Sequence, residues 1–269
     1  MKLNIQKHNR IIVGNVVMLF IVTILNFTSC SEDNDDNIEP NATVTFKFTH
    51  NWDGQSVTNA DFNIIQFINE NGETLSIERL RYLISDITLT TTNNEIIELD
   101  NYNLVDVTNS DGLSFTLNSQ IPTGSYTNVS FTFGFDNEDN AENYLDLNTA
   151  SFNVPEMMGG GYHYMQFDGK YLDANSNEQS FNYHAIRAVD NPGMNPTFPQ
   201  DTFFTVNLGA LTIANDVEIE VKANLAEWFK NPNSWDLNVL NQMLMPNSAA
   251  QIMMYDNGQT VFTLGEVTQ

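Results

Sequence analysis

The residue types best suited to chemistry in this chain cluster between Met157 and Met165, in the run MMGGGYHYM. Methionines, one histidine and two tyrosines flank Gly159, Gly160 and Gly161, which free the backbone for turns that a side chain resists. The segment after the glycines, residues 161–167, is expected to be a strand. There His163 and Met165 would share one face, with Tyr162 and Tyr164 on the other. Imidazole and thioether together suit a soft metal ion such as Cu(I). A second histidine, His184, lies in a similar run, FNYHAIRA. The turn-rich residues 168–180 separate the two runs, so residues 162–167 and 181–187 are expected to pair as a hairpin. That pairing brings both imidazoles within reach of one ion. Met157 is a further soft donor, and His50, beside Trp52 in the turn HNWDG, a third imidazole.

Other chemistries find little support. No G-x-S-x-G, H-E-x-x-H or phosphate loop occurs, and no enzyme activity is expected. The acidic runs DNEDNAEN and DANSNE lack the spacing of a calcium loop and read as solvated loops. Met243, Met245, Met253 and Met254 read as core. No basic–aromatic patch occurs, which argues against nucleic acid as a partner.

The elements that must position these residues are short alternating strands, such as VTFKFT at 44–49, separated by Asn-Gly, Asp-Gly and Pro-Gly turns. Residues 75–91 form a longer strand after a brief helical turn. Helical patterns appear at 224–229 and 237–244, and 252–255 with 259–263 reads as a closing hairpin around Asp256-Asn257-Gly258. The expected fold is all-β: a single antiparallel β-sandwich or barrel-like domain with one or two short helices near the C-terminus.

The first residues have the character of an address. Lys2, Lys7 and Arg10 precede an apolar run that ends in FTSC. This pattern reads as a signal peptide over residues 1–29, followed by a tether over 30–42 and the domain over 43–269. FTSC resembles a bacterial lipobox, which implies cleavage before Cys30 and its lipidation. The following SEDNDD resembles the acidic export signal of Bacteroidetes surface lipoproteins. An outer-membrane lipoprotein exposed at the cell surface is therefore expected. Cys30 is the only cysteine, so the mature chain has no internal disulfide. From residue 30 onward the net charge is 7 − 34 = −27, a field that repels nucleic acid and attracts cations and basic partners.

Several stretches together resemble the MbnP-like copper-binding proteins. They are VTFKFTHNWDGQSV, LRYLISDITL, FTFGFD, MMGGGYHYMQFDGKY with FNYHAIRA, and the closing LAEWFKNP to TLGEV. The resemblance spans nearly the whole mature chain and implies a β-rich domain with copper held by two histidines. His184 matches the family's histidine at the end of the second strand, and His163 stands directly after the Gly-Tyr pair. Some members carry a tryptophan just upstream of that pair, which a dihaem peroxidase partner oxidises to a kynurenine ligand. Residues 152–160, FNVPEMMGG, contain no tryptophan, so the resemblance does not carry that ligand or that partner over. Ala185 follows His184 where the family often has His-Leu-Gly. The function so implied is non-catalytic copper binding, uptake or handling. The alternative is an adhesion or glycan- and protein-binding lipoprotein with a degenerate metal site, in which Trp52, Tyr162 and Tyr164 face the partner.

Overall fold

The long run of residues 79–91 determines the architecture. RLRYLISDITLTT alternates large apolar residues with polar ones at its start and end, and forms a 13-residue strand. The computed structural model describes residues 40–99 and 102–269; the leader, Cys30 and most of the expected tether lie outside them. The eight longer strands are β1 (Val44–Trp52), β2 (Arg79–Thr91), β3 (Gly124–Phe133), β4 (Met165–Leu172), β5 (Glu178–Ala185), β6 (Phe204–Ile213), β7 (Val217–Asn224) and β8 (Phe262–Thr268).

They build a sandwich. The larger sheet runs β6-β3-β2-β4 and continues into the short strands Thr74–Leu75 and Phe67–Ile68; β5 also pairs with β4. The smaller sheet runs β8-β7-β1 to the short strand Gln55–Val57. Pairing is antiparallel except between β1 and β7, which are parallel from Val44↔Val217 to Asn51↔Asn224. The expected all-β sandwich is therefore observed, with this one parallel pair inside it.

Alternation explains the core. In β1, Val44, Phe46, Phe48, His50 and Trp52 point inward, and in β7 Val217, Ile219, Val221 and Ala223 do the same. Opposite them lie Leu80, Tyr82 and Ile84 of β2 and Phe181, Tyr183 and Ala185 of β5, all in one apolar cluster with Trp228, Phe229 and Trp235. Burying side chains of this size supplies roughly 1.5–3 kcal/mol each, which suits a chain with no cysteine after Cys30. A smaller cluster of Leu83, Phe135, Leu147, Phe152 and Tyr162 lies apart from it, on the outer face of the large sheet.

Four expectations are corrected. The β4–β5 hairpin forms, but its strands run on to Leu172 and back from Glu178. Its turn is only Asp173–Asn177, where the Asp173 carboxylate accepts from the Asn175 and Asn177 N–H groups at 2.8 Å each. At the C-terminus, Ser248–Gly258 is a helix in place of a hairpin strand. Asn247 caps it by accepting from the Ala250 N–H, and Ala250, Met254, Asn257 and Gly258 form its buried stripe. Residues 237–244 are not helical, and 225–229 form a 3-10 turn. Trp235 and Leu237 are buried there, and the Trp235 indole N–H donates to the Leu240 carbonyl at 2.9 Å. Of the four methionines expected in the core, Met254 is fully buried while Met243 is 76% exposed.

Candidate metal centre

Strand β2 explains where the histidines stand. One edge of β2 carries β3 from Thr91 to Ile84 and then β4 from Tyr82 to Arg79. At the junction the Leu83 carbonyl accepts from the Gly134 N–H, and the Leu83 N–H donates to the Tyr164 carbonyl, both at 2.9 Å. The edge is fully used, so residues 162–164 cannot continue β4 as a regular strand. The strand expected from residue 161 begins instead at Met165. The glycines upstream all have positive φ, and a Cβ on Gly161 would lie 2.5 Å from the Asn140 amide. This irregular entry turns His163 onto the outer face.

His163 is held by one carbonyl. Both its backbone N–H and its Nδ1 lie 2.9 Å from the Phe152 oxygen. A carbonyl only accepts, so Nδ1 carries the proton and Nε2 holds the lone pair. The Gln166 amide nitrogen is 3.4 Å from Nδ1, too long to compete with the shorter bond. Nε2 is buried and has no hydrogen-bond partner among the described residues. Burial pushes the ring's pKa down to about 4, with His184, Arg81 and Arg79 adding to the effect against the Phe152 carbonyl. The imidazole is neutral near pH 7.

His184 stands opposite Gln166 in the β4–β5 ladder. Its ring centre is 5.2 Å from that of His163, with the planes at 85°. Its Nε2 lies 2.8 Å from Asp168 Oδ1. Asp168 also accepts from Asn182 Nδ2 at 2.6 Å and pairs with Arg79. Burial pushes this carboxylate up, but the bonds from His184, Asn182 and Arg79 together outweigh it and hold the pKa at about 2. Arg81 donates to Gln166 Oε1 at 2.6 Å and lies over the Phe152 ring.

The structure thus brings His163 and His184 together and leaves the other sequence candidates apart. Met165 is fully buried in the main core, with Ala185 and Tyr82 as its ladder partners. It therefore faces away from Gln166 and His184, so its thioether is a packing group. Met157 lies in the turn Glu156–Met158 and is 66% exposed. His50 is in the sandwich interior, its Nε2 3.0 Å from the Tyr82 hydroxyl. Trp52, Tyr162 and Tyr164, the aromatics expected to face a glycan, are all buried. Asp168 is hidden in the sequence because 168–180 has the pattern of a turn, while Arg79, Gln166 and Asn182 lie in expected strands but are not metal-ligating residue types. With the strand running on to Leu172, Asp168 joins Gln166 on the face of His184.

Among the described residues no three His, Cys, Asp or Glu side chains converge as a ready-made ion site. The neutral nitrogen donors available on this face are the two imidazoles. It fits a metal that accepts neutral nitrogens: the centre-to-centre separation lets two ring nitrogens approach one ion at bonds of about 2 Å. The buried lone pair of His163 has no other use in the fold.

A family model named MbnP matches residues 41–253. The chain belongs to the MbnP family. Its fold is similar to the solved structure of MbnP from Methylosinus trichosporium, with a TM-score of 0.52 at 13% identity, over 84% of this chain and 99% of that one. No curated protein sequence matches. Membership of the MbnP family, which is associated with copper binding, points to a copper-related role for this chain.

Proposed function

We propose that this MbnP-family protein is an extracytoplasmic lipoprotein that binds copper through His163 and His184 without catalysing a reaction. The observation that carries this reading is the buried, unpartnered Nε2 of His163 beside a second imidazole. An unsatisfied buried nitrogen costs on the order of 1–3 kcal/mol, a cost that a bound ion would offset. Neutral imidazole is the form that ligates copper, and burial holds the His163 ring in that form. Arg79 is neutralised by Asp168, so its charge opposes a cation less than an unpaired guanidinium would. Copper titration against a chelator of known affinity tests the site. His163→Ala and His184→Ala should each lower the affinity at least 100-fold, and the double variant should lose little more. Equal affinity in wild type and both variants would end the reading.

The lipoprotein part rests on FTSC and SEDNDD in the leader region. Cys30→Ala should abolish lipid labelling and release the protein from the membrane fraction. Unchanged labelling would refute it. The tryptophan that some relatives convert to kynurenine is absent from 152–160, so copper binding is proposed to need no dihaem partner.

A further inference from the structure

We infer that Asp168 is a positioning residue: it fixes the proton of His184 on Nε2, so the two histidines present unlike nitrogens, Nδ1 of His184 and Nε2 of His163. The inference deepens the copper reading and rests on it.

The argument begins with the strands. Asp168 sits on β4 between Arg79 of β2 and Asn182 of β5, its direct ladder partners on either side. His184 is its diagonal neighbour, within reach of one hydrogen bond. Oδ2 takes the Arg79 guanidinium, and Oδ1 takes both Asn182 Nδ2 and His184 Nε2. An ionised carboxylate can only accept, so His184 Nε2 must donate and carry the proton. A neutral imidazole has one other nitrogen, and its lone pair is then on Nδ1. His184 Nδ1 makes no hydrogen bond among the described residues. In His163 the Phe152 carbonyl imposes the reverse assignment.

Each ring thus has one nitrogen committed to a fixed oxygen and one free. Such outer partners set the tautomer and aim of a metal-binding histidine. Asp168 is poorly placed to be a ligand itself. Three donors from two neighbouring strands and its own diagonal already occupy it, and ligation would strip the charge partner from a part-buried Arg79. The same three donors prevent the carboxylate from swinging away, which makes it a rigid reference for the ring.

The test has a metal-free arm. In full-length 15N-labelled protein without copper, long-range proton–nitrogen spectra should show His184 protonated on Nε2 and His163 on Nδ1. On adding Cu(I), Nδ1 of His184 and Nε2 of His163 should be the nitrogens whose shifts move. Asp168→Ala should scramble the His184 tautomer and weaken copper about 10–100-fold. Asp168→Asn replaces one acceptor oxygen by a donor amide, which cannot accept from both Arg79 and His184, so it should loosen the His184 tautomer and weaken copper, though less than Asp168→Ala. His184 protonated on Nδ1 in the wild type would overturn the inference without any variant needing to fold. So would an Asp168→Ala protein with wild-type shifts and affinity. If wild type binds copper and the histidine variants do not, these failures leave the copper reading standing. Wild type that takes no copper would remove that reading and the ligand-atom assignment with it.

Discussion

His50 and His163 are about equally dry, at 6% and 5% exposure, and burial pushes both rings' pKa values down to about 4. Their surroundings differ in one respect. On the inner side of the sandwich, His50 Nε2 meets the Tyr82 hydroxyl, and the two rings pack edge to face. On the outer face, His163 spends Nδ1 on a backbone carbonyl and leaves Nε2 with nothing. A core histidine is one whose polar atoms are consumed by the fold. The histidine proposed as a ligand is held just as firmly but keeps one lone pair in reserve. Depth and pKa do not separate the two; the hydrogen-bond inventory does.

The comparison breaks most visibly under alanine. His163→Ala should abolish tight copper binding while leaving the main core intact. His50→Ala should leave copper affinity unchanged and destabilise the fold by about 2–4 kcal/mol, because it opens a cavity and strands the Tyr82 hydroxyl. Denaturant melts and chelator competition on the same two proteins check both halves. If His50→Ala lost copper and His163→Ala lost only stability, the assignments would have to be exchanged.

A smaller and shared effect comes from pH. In the metal-free protein both rings have folded pKa values near 4, below the unfolded value of about 6.5. The unfolded chain therefore binds more protons between these values. The stability from both histidines is fully present above about pH 6.5 and is lost as pH falls toward 4. Unfolding midpoints measured from pH 7.5 to 4 should decline across that window. His50→Phe should flatten part of the decline, and an unaltered slope would show that His50 is not buried neutral.

The smallest effects concern the methionines. Met165→Leu keeps the volume and removes only sulfur, so it should cost under about 1.5 kcal/mol and leave copper affinity the same. A large loss of Cu(I) affinity would bring the thioether back as a ligand. Met157→Leu, on an exposed turn, should change stability by less than about 0.5 kcal/mol and copper affinity not at all.

What could be read from the sequence follows from what each signal measures. Alternation in VTFKFT and in FNYHAIRA reports which side a residue takes relative to its own strand neighbours. It was enough for the sandwich, the β4–β5 hairpin and the proximity of His163 to His184. It cannot report that β2 would have its edge filled by β3 and β4 end to end, and that junction is what breaks the strand before Met165 and sends His163 and Met165 to opposite sides. Asp168 escaped notice because Asp-Gly is a turn signal, whereas here Gly169 is inside a strand. A Cβ at Gly169 would lie 2.0 Å from the Ser76 carbonyl oxygen, so that glycine serves close backbone approach. The closing helix is masked because IMMY has the apolar density of a buried strand; its Asn247 cap is a local signal that the sequence carries, whereas the buried Gln251 amide that anchors it is tertiary. Gln251 donates to the His184 and Leu244 carbonyls and accepts from the Ile186 N–H.

The parallel pairing of β1 with β7 has a consequence in time. Each of its ladder partners is separated by 173 residues, as in Val44↔Val217, so the first long strand acquires this neighbour only after most of the chain has been made. Contacts of such sequence separation slow folding, because loop closure is costly before it is rewarded. Until β7 arrives, β1 exposes Phe46, Phe48 and Trp52 on a strand with an open edge, an invitation to pair with other chains. The emerging N-terminal half therefore cannot close its sandwich early, and the finished domain is locked by its last segments.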